Sequence, residues 1–276
     1  MKIAILSDIH SNLEALCATL DAVAAQGAER IVCLGDVVGY NTDAAACVAA
    51  LRAAGAVCAA GNPDRAVAGR ISTDGFSAAA VRAVAWTRGR LGADDMAFLA
   101  GLPLKAHIGS DLVMVHGALH VDEGCELVRL DTDERRYLSF EALAAHPSGA
   151  RVCAFGHTHR LGVWELRDGV VHAHEEDEVL LRPGSWYLVN PGTVGDPRTD
   201  ERRATCMVFD TERQAITVYR VAYDAAAAFA KTRRAGLGPR PTFLPPPVRE
   251  TLKWGVRTLG LQGFVRRMGA SRASPR

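Results

Sequence analysis

Five apolar runs in this chain each end on side chains that can bind a cation. Asp8 and His10 follow the run in "ILSDIH", Asp36 that in "VCLGD", and Asn62 that in "CAAGN". His116 follows "VMV", and His157 and His159 follow "CAFG". A buried carboxylate or imidazole is costly unless it is paired or metal-bound, so packing alone does not account for this repetition. Two carboxylates, one amide and four imidazoles suit Mn, Fe, Co, Ni or Zn better than Ca or Mg. Two divalent ions sharing one carboxylate would use the set economically. Taken singly, each cluster has a plainer explanation. Asp8 and His10 could open a helix, Asp36 could be a turn carboxylate, and "GHTH" could be a solvated turn. It is their number and order that favour ligands. His107, His146, His172 and His174 follow no such run and are expected at the surface or in packing, while His120, four residues after His116, fits either role.

The elements that would position these residues can be read from periodicity. "KIAIL" is a short buried strand. Residues 13, 16, 17, 20, 23 and 24 then repeat at the spacing of one helix face, with Ser11 and Glu14 as a start signal and Gly27 as a stop. "RIVCLGD", "DAAACVAALRAAG" and "AVCAAGN" continue as strand, helix and strand, a β-α-β-α-β order that implies a parallel sheet. Further strands are expected at "DLVMVHG", "RVCAFGH", "LGVWEL", "GVVHAH", "WYLVN", "ATCMVFD" and "AITVYRV", with helices over 77–99 and 133–145. The strand-rich second half suggests a second, mixed sheet. Ligands at the downstream ends of such strands match the place where open α/β sheets bind their ligands.

The ordered blocks D-x-H, GD, GN, VH and GHTH over about residues 1–225 resemble the calcineurin-like metallophosphoesterases, and "DIHSNLEAL", "GDVVGYN" and "NPGTVGDPR" look most like a bacterial, phosphodiesterase-type subgroup. The resemblance implies an α/β fold of four layers, an α-β-β-α sandwich of two mixed sheets flanked by helices, with a dinuclear centre at the strand ends. By motif position, Asp8, His10, Asp36 and His159 would hold one metal, and Asp36, Asn62, His116 and His157 the other. A water between two such ions loses much of its proton affinity, and the hydroxide so formed would attack the phosphorus in line with the departing oxygen. Arg65 and Arg198 are candidates for phosphate contacts, with exposed ion pairs as the alternative.

One position departs from the family pattern. Most relatives have histidine after the motif asparagine, resembling a general acid for the leaving oxygen; this chain has Pro63, which carries no titratable group and no backbone N–H. That argues against efficient monoester hydrolysis and for diesters, nucleotide diesters included. Asp64, His120 and Tyr40 are the candidates to replace the donor. Proline also biases Asn62 toward extended backbone angles. The alternative function is a catalytically weak or inactive interaction module of the same fold; retention of all seven ligand types favours the enzyme.

The 276 residues, 49% of them hydrophobic, are enough for one large core or two modest ones, with one main domain plus an appendage expected, and no apolar run is long enough to span a membrane. A short apolar start and seven scattered cysteines predict a cytosolic protein with reduced thiols. Residues 231–276 carry eleven Lys or Arg against one acid, Glu250, whereas residues 1–230 carry 21 basic and 30 acidic residues. The expected division is thus a catalytic body over 1–230 and a basic segment over 231–276, with a Gly/Pro linker at 236–247. Val248, Leu252, Val256, Leu259 and Phe264 fall near one helical face beyond it. Such a segment fits an anionic membrane surface, nucleic acid or the acidic body itself.

Overall fold

Strand β1 (Lys2–Leu6) is apolar on both faces because both are covered: Ile3 and Ile5 point into one core, Ala4 and Leu6 into another. The computed structural model describes residues 1–199 and 201–238. From β1 the chain runs through α1 (Leu13–Ala25), β2 (Arg30–Cys33), α2 (Ala44–Ala53) and β3 (Val57–Cys58). β1, β2 and β3 pair in parallel, as the alternation requires. β11 (Ala204–Asp210), β12 (Ala215–Val221) and β9 (Glu178–Leu180) then extend the sheet antiparallel, giving the order β3-β2-β1-β11-β12-β9.

A second six-stranded sheet contains β4 (Lys105–Ile108), β5 (Leu112–Val115), β6 (Val152–Ala154), β7 (Gly162–Arg167), β8 (Val170–His174) and β10 (Trp186–Asn190), in the order β4-β5-β6-β10-β7-β8. Its central strands β5, β6 and β10 are parallel and its flanks antiparallel. Three cores bind the layers. Leu16, Val48 and Leu51 pack α1 and α2 on the outer face of the first sheet, and Ile5, Leu34, Met114, Val189 and Met207 join the two sheets. Val115, Cys153 and Leu188 pack the outer face of the second sheet against Phe140 and Leu143 of α6 (Asp133–Ala144). The result is the four-layer α-β-β-α sandwich.

Several local expectations are corrected. The helix expected over 77–99 is two helices, α4 (Ala78–Arg88) and α5 (Ala93–Gly101), parted at Gly89 and Gly92. The α1 cap is Asn12, whose side chain accepts from Ala15 N at 3.1 Å; Ser11 instead sits in a left-handed conformation with its N–H on Val37 O. Asn62 is not extended. It opens α3 (Asn62–Val67), a six-residue helix with Pro63 in its first turn, where a missing N–H costs nothing. The short outer strands β4 and β9 carry too few apolar residues to register in the sequence pattern.

All seven cysteines are free, six of them buried and Cys17 exposed. Helix α7 (Ala225–Arg234) runs through the boundary expected at residue 230. Lys231 lies 2.6 Å from Glu14 and 2.7 Å from Asp43, and buried Thr232 donates to Asn41 Oδ1 at 2.9 Å. Among the described residues no helix is long and apolar enough to cross a membrane. The amphipathic stretch expected beyond residue 247, and the linker from 239 onward, lie outside the described residues.

Candidate metal centre

The turns that follow β1, β2, β3, β5 and β6 meet at one edge of the sandwich, and their backbones are unusual. Nine non-glycine residues have left-handed φ among those described, and Asp8 (55°), His10 (50°), Asp36 (53°), His157 (63°) and His159 (58°) account for five of them. Strained backbone of this kind persists where surrounding structure holds it, most often at functional sites. Here the hold is an interlocked set of main-chain bonds: Asp8 N to Gly35 O at 3.1 Å, His10 N to Asp36 O at 2.8 Å and Gly156 N to His116 O at 2.8 Å.

Asp8, His10, Asp36 and His159 form one group, and Asp36, His116 and His157 a second; within each group, ligand-type atoms lie within 4.8 Å of one another. Asp36 belongs to both. His159 Nε2 is 2.9 Å from Asp8 Oδ1, His10 Nε2 is 3.4 Å from Asp36 Oδ2, and His116 Nε2 is 3.1 Å from Asp36 Oδ1. The hydrogen bonds on the far side of the imidazoles fix what the near side can do. His10 Nδ1 faces Val38 O at 3.3 Å, His116 Nδ1 faces Leu34 O at 2.9 Å, and His159 Nδ1 faces Asp196 O at 2.7 Å. A carbonyl can only accept, so each Nδ1 carries a proton, and in its neutral form each ring turns an Nε2 lone pair inward. His10 and His159 thereby oppose two lone pairs at 3.1 Å. Burial holds His10 neutral down to about 4 and His157 down to about 3. Burial opposes charge on His116 and Asp8 alike, but Asp36 lifts the His116 pKa to about 9, and the proton held among these rings keeps Asp8 ionised.

Among the described residues, three oxygens of the expected ligands accept no hydrogen bond: Asp8 Oδ1, Asp36 Oδ1 and Asn62 Oδ1. Orphaned acceptors are costly in a protein interior, and lone pairs converging on them from imidazoles make a set that a divalent cation satisfies. Gly61 lets the start of α3, which carries Asn62, lie against Asp36; a Cβ on Gly61 would fall on Asp36 Oδ1 and Asp36 N. Gly61→Ala is therefore expected to lower stability by roughly 1–3 kcal/mol and to reduce metal uptake. Gly101→Ala, where a Cβ meets nothing within 4 Å, should do neither; thermal unfolding and metal analysis of the two variants check this.

A family model described as the calcineurin-like phosphoesterase superfamily domain matches residues 1–214. The chain belongs to that superfamily. It is 32% identical over 232 residues to an uncharacterized protein of Methanocaldococcus jannaschii, covering 83% of this chain and 90% of that one. It also resembles the crystal structure of a metallophosphoesterase from Sphaerobacter thermophilus, with a TM-score of 0.71 and 32% identity over 86% of this chain and 95% of the other. A hypothetical protein from Pyrococcus horikoshii shares the fold at a TM-score of 0.64 and 17% identity, over 91% and 97% of the two chains.

Other residues singled out in this calcineurin-like domain fall into place differently. Arg65 does not face the ligands: its Nε lies 3.0 Å from Glu126 Oε1, and Glu126 is fully buried. No hydrogen bond reaches either Glu126 oxygen among the described residues, so the Arg65 charge is what compensates that carboxylate. The pair ties α3, which carries Asn62, to the loop that continues from His116. Arg65→Ala is expected to cost about 3 kcal/mol in denaturant unfolding, because it strands a buried charge. Adding Glu126→Gln should recover part of that loss.

Asp64, a candidate proton donor, is also fully buried, and its carboxylate accepts from Gly61 N (2.9 Å), Val38 N (3.0 Å) and Val37 N (3.3 Å). Burial, reinforced by Asp36, lifts its pKa to about 7, yet it has no exposed face from which to protonate a leaving group. It instead clips the β2 exit to the start of α3. His120 stands outside both ligand groups, with Nδ1 2.8 Å from Ser139 Oγ on α6. Tyr40 remains at the site, its ring 4.6 Å from that of His10, and the Arg198 guanidinium lies 5.8 Å above the Tyr40 ring.

Sequence reasoning attached no role to Asn190, Thr193 and Asp196, all buried in "NPGTVGDPR". Thr193 Oγ1 donates to Asp8 O at 2.8 Å, Asn190 Nδ2 to Gly156 O at 3.0 Å, and Asp196 O orients His159. The signals were the resemblance of that stretch to the family and a run of turn formers directly after a buried strand, neither of which assigns a contact.

Proposed function

We propose that this chain is a phosphoesterase dependent on two divalent metal ions and acting on diesters in preference to monoesters. The observation that carries the reading is the cluster of Asp8, His10, Asp36, His116, His157 and His159, in which Asp8 Oδ1 and Asp36 Oδ1 accept no hydrogen bond among the described residues. Asp8, His10, Asp36 and His159 would hold one ion, and Asp36, Asn62, His116 and His157 the other, with the imidazole-rich set favouring Mn, Fe, Co, Ni or Zn. Such ions supply a water of lowered proton affinity and neutralise phosphoryl charge. Asp196, Leu34 and Val38 hold the imidazole tautomers that make the ligand lone pairs available.

The diester preference rests on Pro63, which has no proton to give a departing alkoxide. A diester with an acidic leaving group has no need of one. Elemental analysis of the purified protein should find close to two transition-metal ions per chain. Bis(p-nitrophenyl) phosphate should turn over faster than p-nitrophenyl phosphate, and chelation should abolish both activities. A metal-loaded protein that hydrolyses neither ester would favour an interaction module.

A further inference from the structure

Helix α7 lies beyond residues 1–214, the span that the family model matches, yet its side chains reach the turns that carry the ligands. It packs on α1. Buried Thr232 donates from Oγ1 to Asn41 Oδ1 at 2.9 Å, and the other end of that amide points at the ligand turns: Asn41 Nδ2 donates to His10 O at 2.9 Å and to Gly195 O at 3.4 Å. Asn41 is itself buried. Its backbone N–H also reaches His10 O, at 3.2 Å, and Gly195 N donates to Asp8 O at 3.0 Å. Gly195 immediately precedes Asp196, whose carbonyl holds the His159 ring. One side-chain amide thus braces the segments that carry or orient both imidazoles of the first ligand group. The second group is held by other contacts, His116 Nδ1 on Leu34 O and His157 N on Asp8 Oδ2.

The direction of the amide is decided by its neighbours. His10 O and Gly195 O can only accept, so Nδ2 faces them and Oδ1 faces α7. Thr232 has the hydroxyl proton that Oδ1 needs, and shares it with Ala228 O at 3.0 Å, the back-bond of a helical threonine. Without it, Asn41 Oδ1 is a buried acceptor lacking its donor, and turning the amide over would set that oxygen against His10 O. The strain falls on a turn that has none to spare, since His10 and Ser11 already hold left-handed φ of 50° and 56°. Lys231 adds a second fastening. Its Nζ lies 2.6 Å from Glu14 and 2.7 Å from Asp43, and Asp43 N donates to Ser11 O at 3.0 Å. Both fastenings end on the turn that carries His10.

We propose that Thr232 is a positioning residue for the first metal site, acting through Asn41, so that the docking of α7 sets how tightly Asp8, His10, Asp36 and His159 hold their ion. The inference rests on the two-metal reading above and adds control of one site by a segment outside the family match. Its test uses the metal alone. Cobalt(II) is titrated into the metal-stripped full-length chain, followed by the visible absorption of the bound ion and by heat. Repeating the titration in His157→Ala, which leaves the first group whole, assigns the two positions.

Thr232→Val keeps the shape and removes the donor; it should weaken cobalt at the first position about tenfold and leave the second within about twofold, the scale of losing a hydrogen-bond partner behind a ligand. Thr232→Ser should restore the first position, because it returns the hydroxyl. Thr19→Val in α1 loses the same kind of back-bond, Thr19 Oγ1 to Ala15 O at 2.7 Å, and should change neither position. Lys231→Met keeps the alkyl stem and loses both ion pairs, so it should give a smaller loss at the first position; it decides the matter if Thr232→Val does not fold. Native cobalt binding in the Val and Met variants would overturn the inference, as would equal weakening of both positions or a Thr232→Ser protein no better than Thr232→Val. If neither nitrophenyl ester is hydrolysed while the selective loss stands, the phosphoesterase reading fails and the positioning role does not. If the esters turn over and the selective loss is absent, the reverse holds.

Discussion

Asp36→Asn is expected to empty both metal positions at once and to reduce ester hydrolysis by at least ~10²-fold, more than the loss typical of removing an outer-shell partner. The expectation follows from geometry. Asp36 is the residue common to the two ligand groups; its Oδ1 faces His116 Nε2 at 3.1 Å and its Oδ2 faces His10 Nε2 at 3.4 Å. An amide keeps the shape of the side chain and removes the charge, so the fold should survive while affinity falls on both sides. His157→Ala should affect the second group alone, since His157 belongs only to that one. Metal analysis of the two variants beside the unmodified protein distinguishes them. An Asp36→Asn protein that retains one full equivalent would remove Asp36 from the shared position.

The second large effect concerns the leaving group. With proline at 63, Asp64 sealed by three backbone N–H groups and His120 directed at Ser139, the donors nearest in sequence to the ligands are absent or engaged. Rates should therefore rise steeply with leaving-group acidity, nitrophenyl diesters exceeding alkyl esters by more than their intrinsic reactivity ratio. Pro63→His should narrow the gap by ~10²–10⁴-fold, the usual contribution of a general acid, by accelerating only the esters that need a proton. The substitution is compatible with the backbone. Pro63 already presents a Cβ toward Gly39, and position 63 is helical, where histidine needs no special angles. Metal content should not change. A uniform gain across all esters would point to better positioning of Asn62 rather than to proton delivery. No gain for any ester would direct attention to Tyr40, which packs on His10.

How far the sequence carried this account varied with the kind of signal. The clustering of Asp8, His10, Asp36, His116, His157 and His159 was legible because these residue types are costly at the ends of buried strands, and because strand ends are countable from apolar runs. The two sheets and their layers were legible for the same reason. The first turn of α3 was not: an asparagine–proline pair predicts extended backbone locally, whereas the Asp64 carboxylate capping Gly61 N, with Gly61 packed against Asp36, starts a helix there. Arg65 illustrates a different limit. A charged residue beside a ligand motif looks like a substrate contact, and its true partner, Glu126, is sixty-one positions away in a segment without periodicity. The Asn190, Thr193 and Asp196 contacts depend on a loop folding back across the β1 exit, which spacing does not encode.

The left-handed backbone at Asp8, His10, Asp36, His157 and His159 sets folding stability against the side chains gathered there. Each costs of order 1 kcal/mol relative to glycine, so for a chain that no longer needed its ions, replacing these residues by glycine would be downhill in folding energy. Glycine at any of these positions would thus gain folding energy while removing a ligand-type side chain, so a stabilising redesign meant to keep the cluster would have to leave these five positions alone.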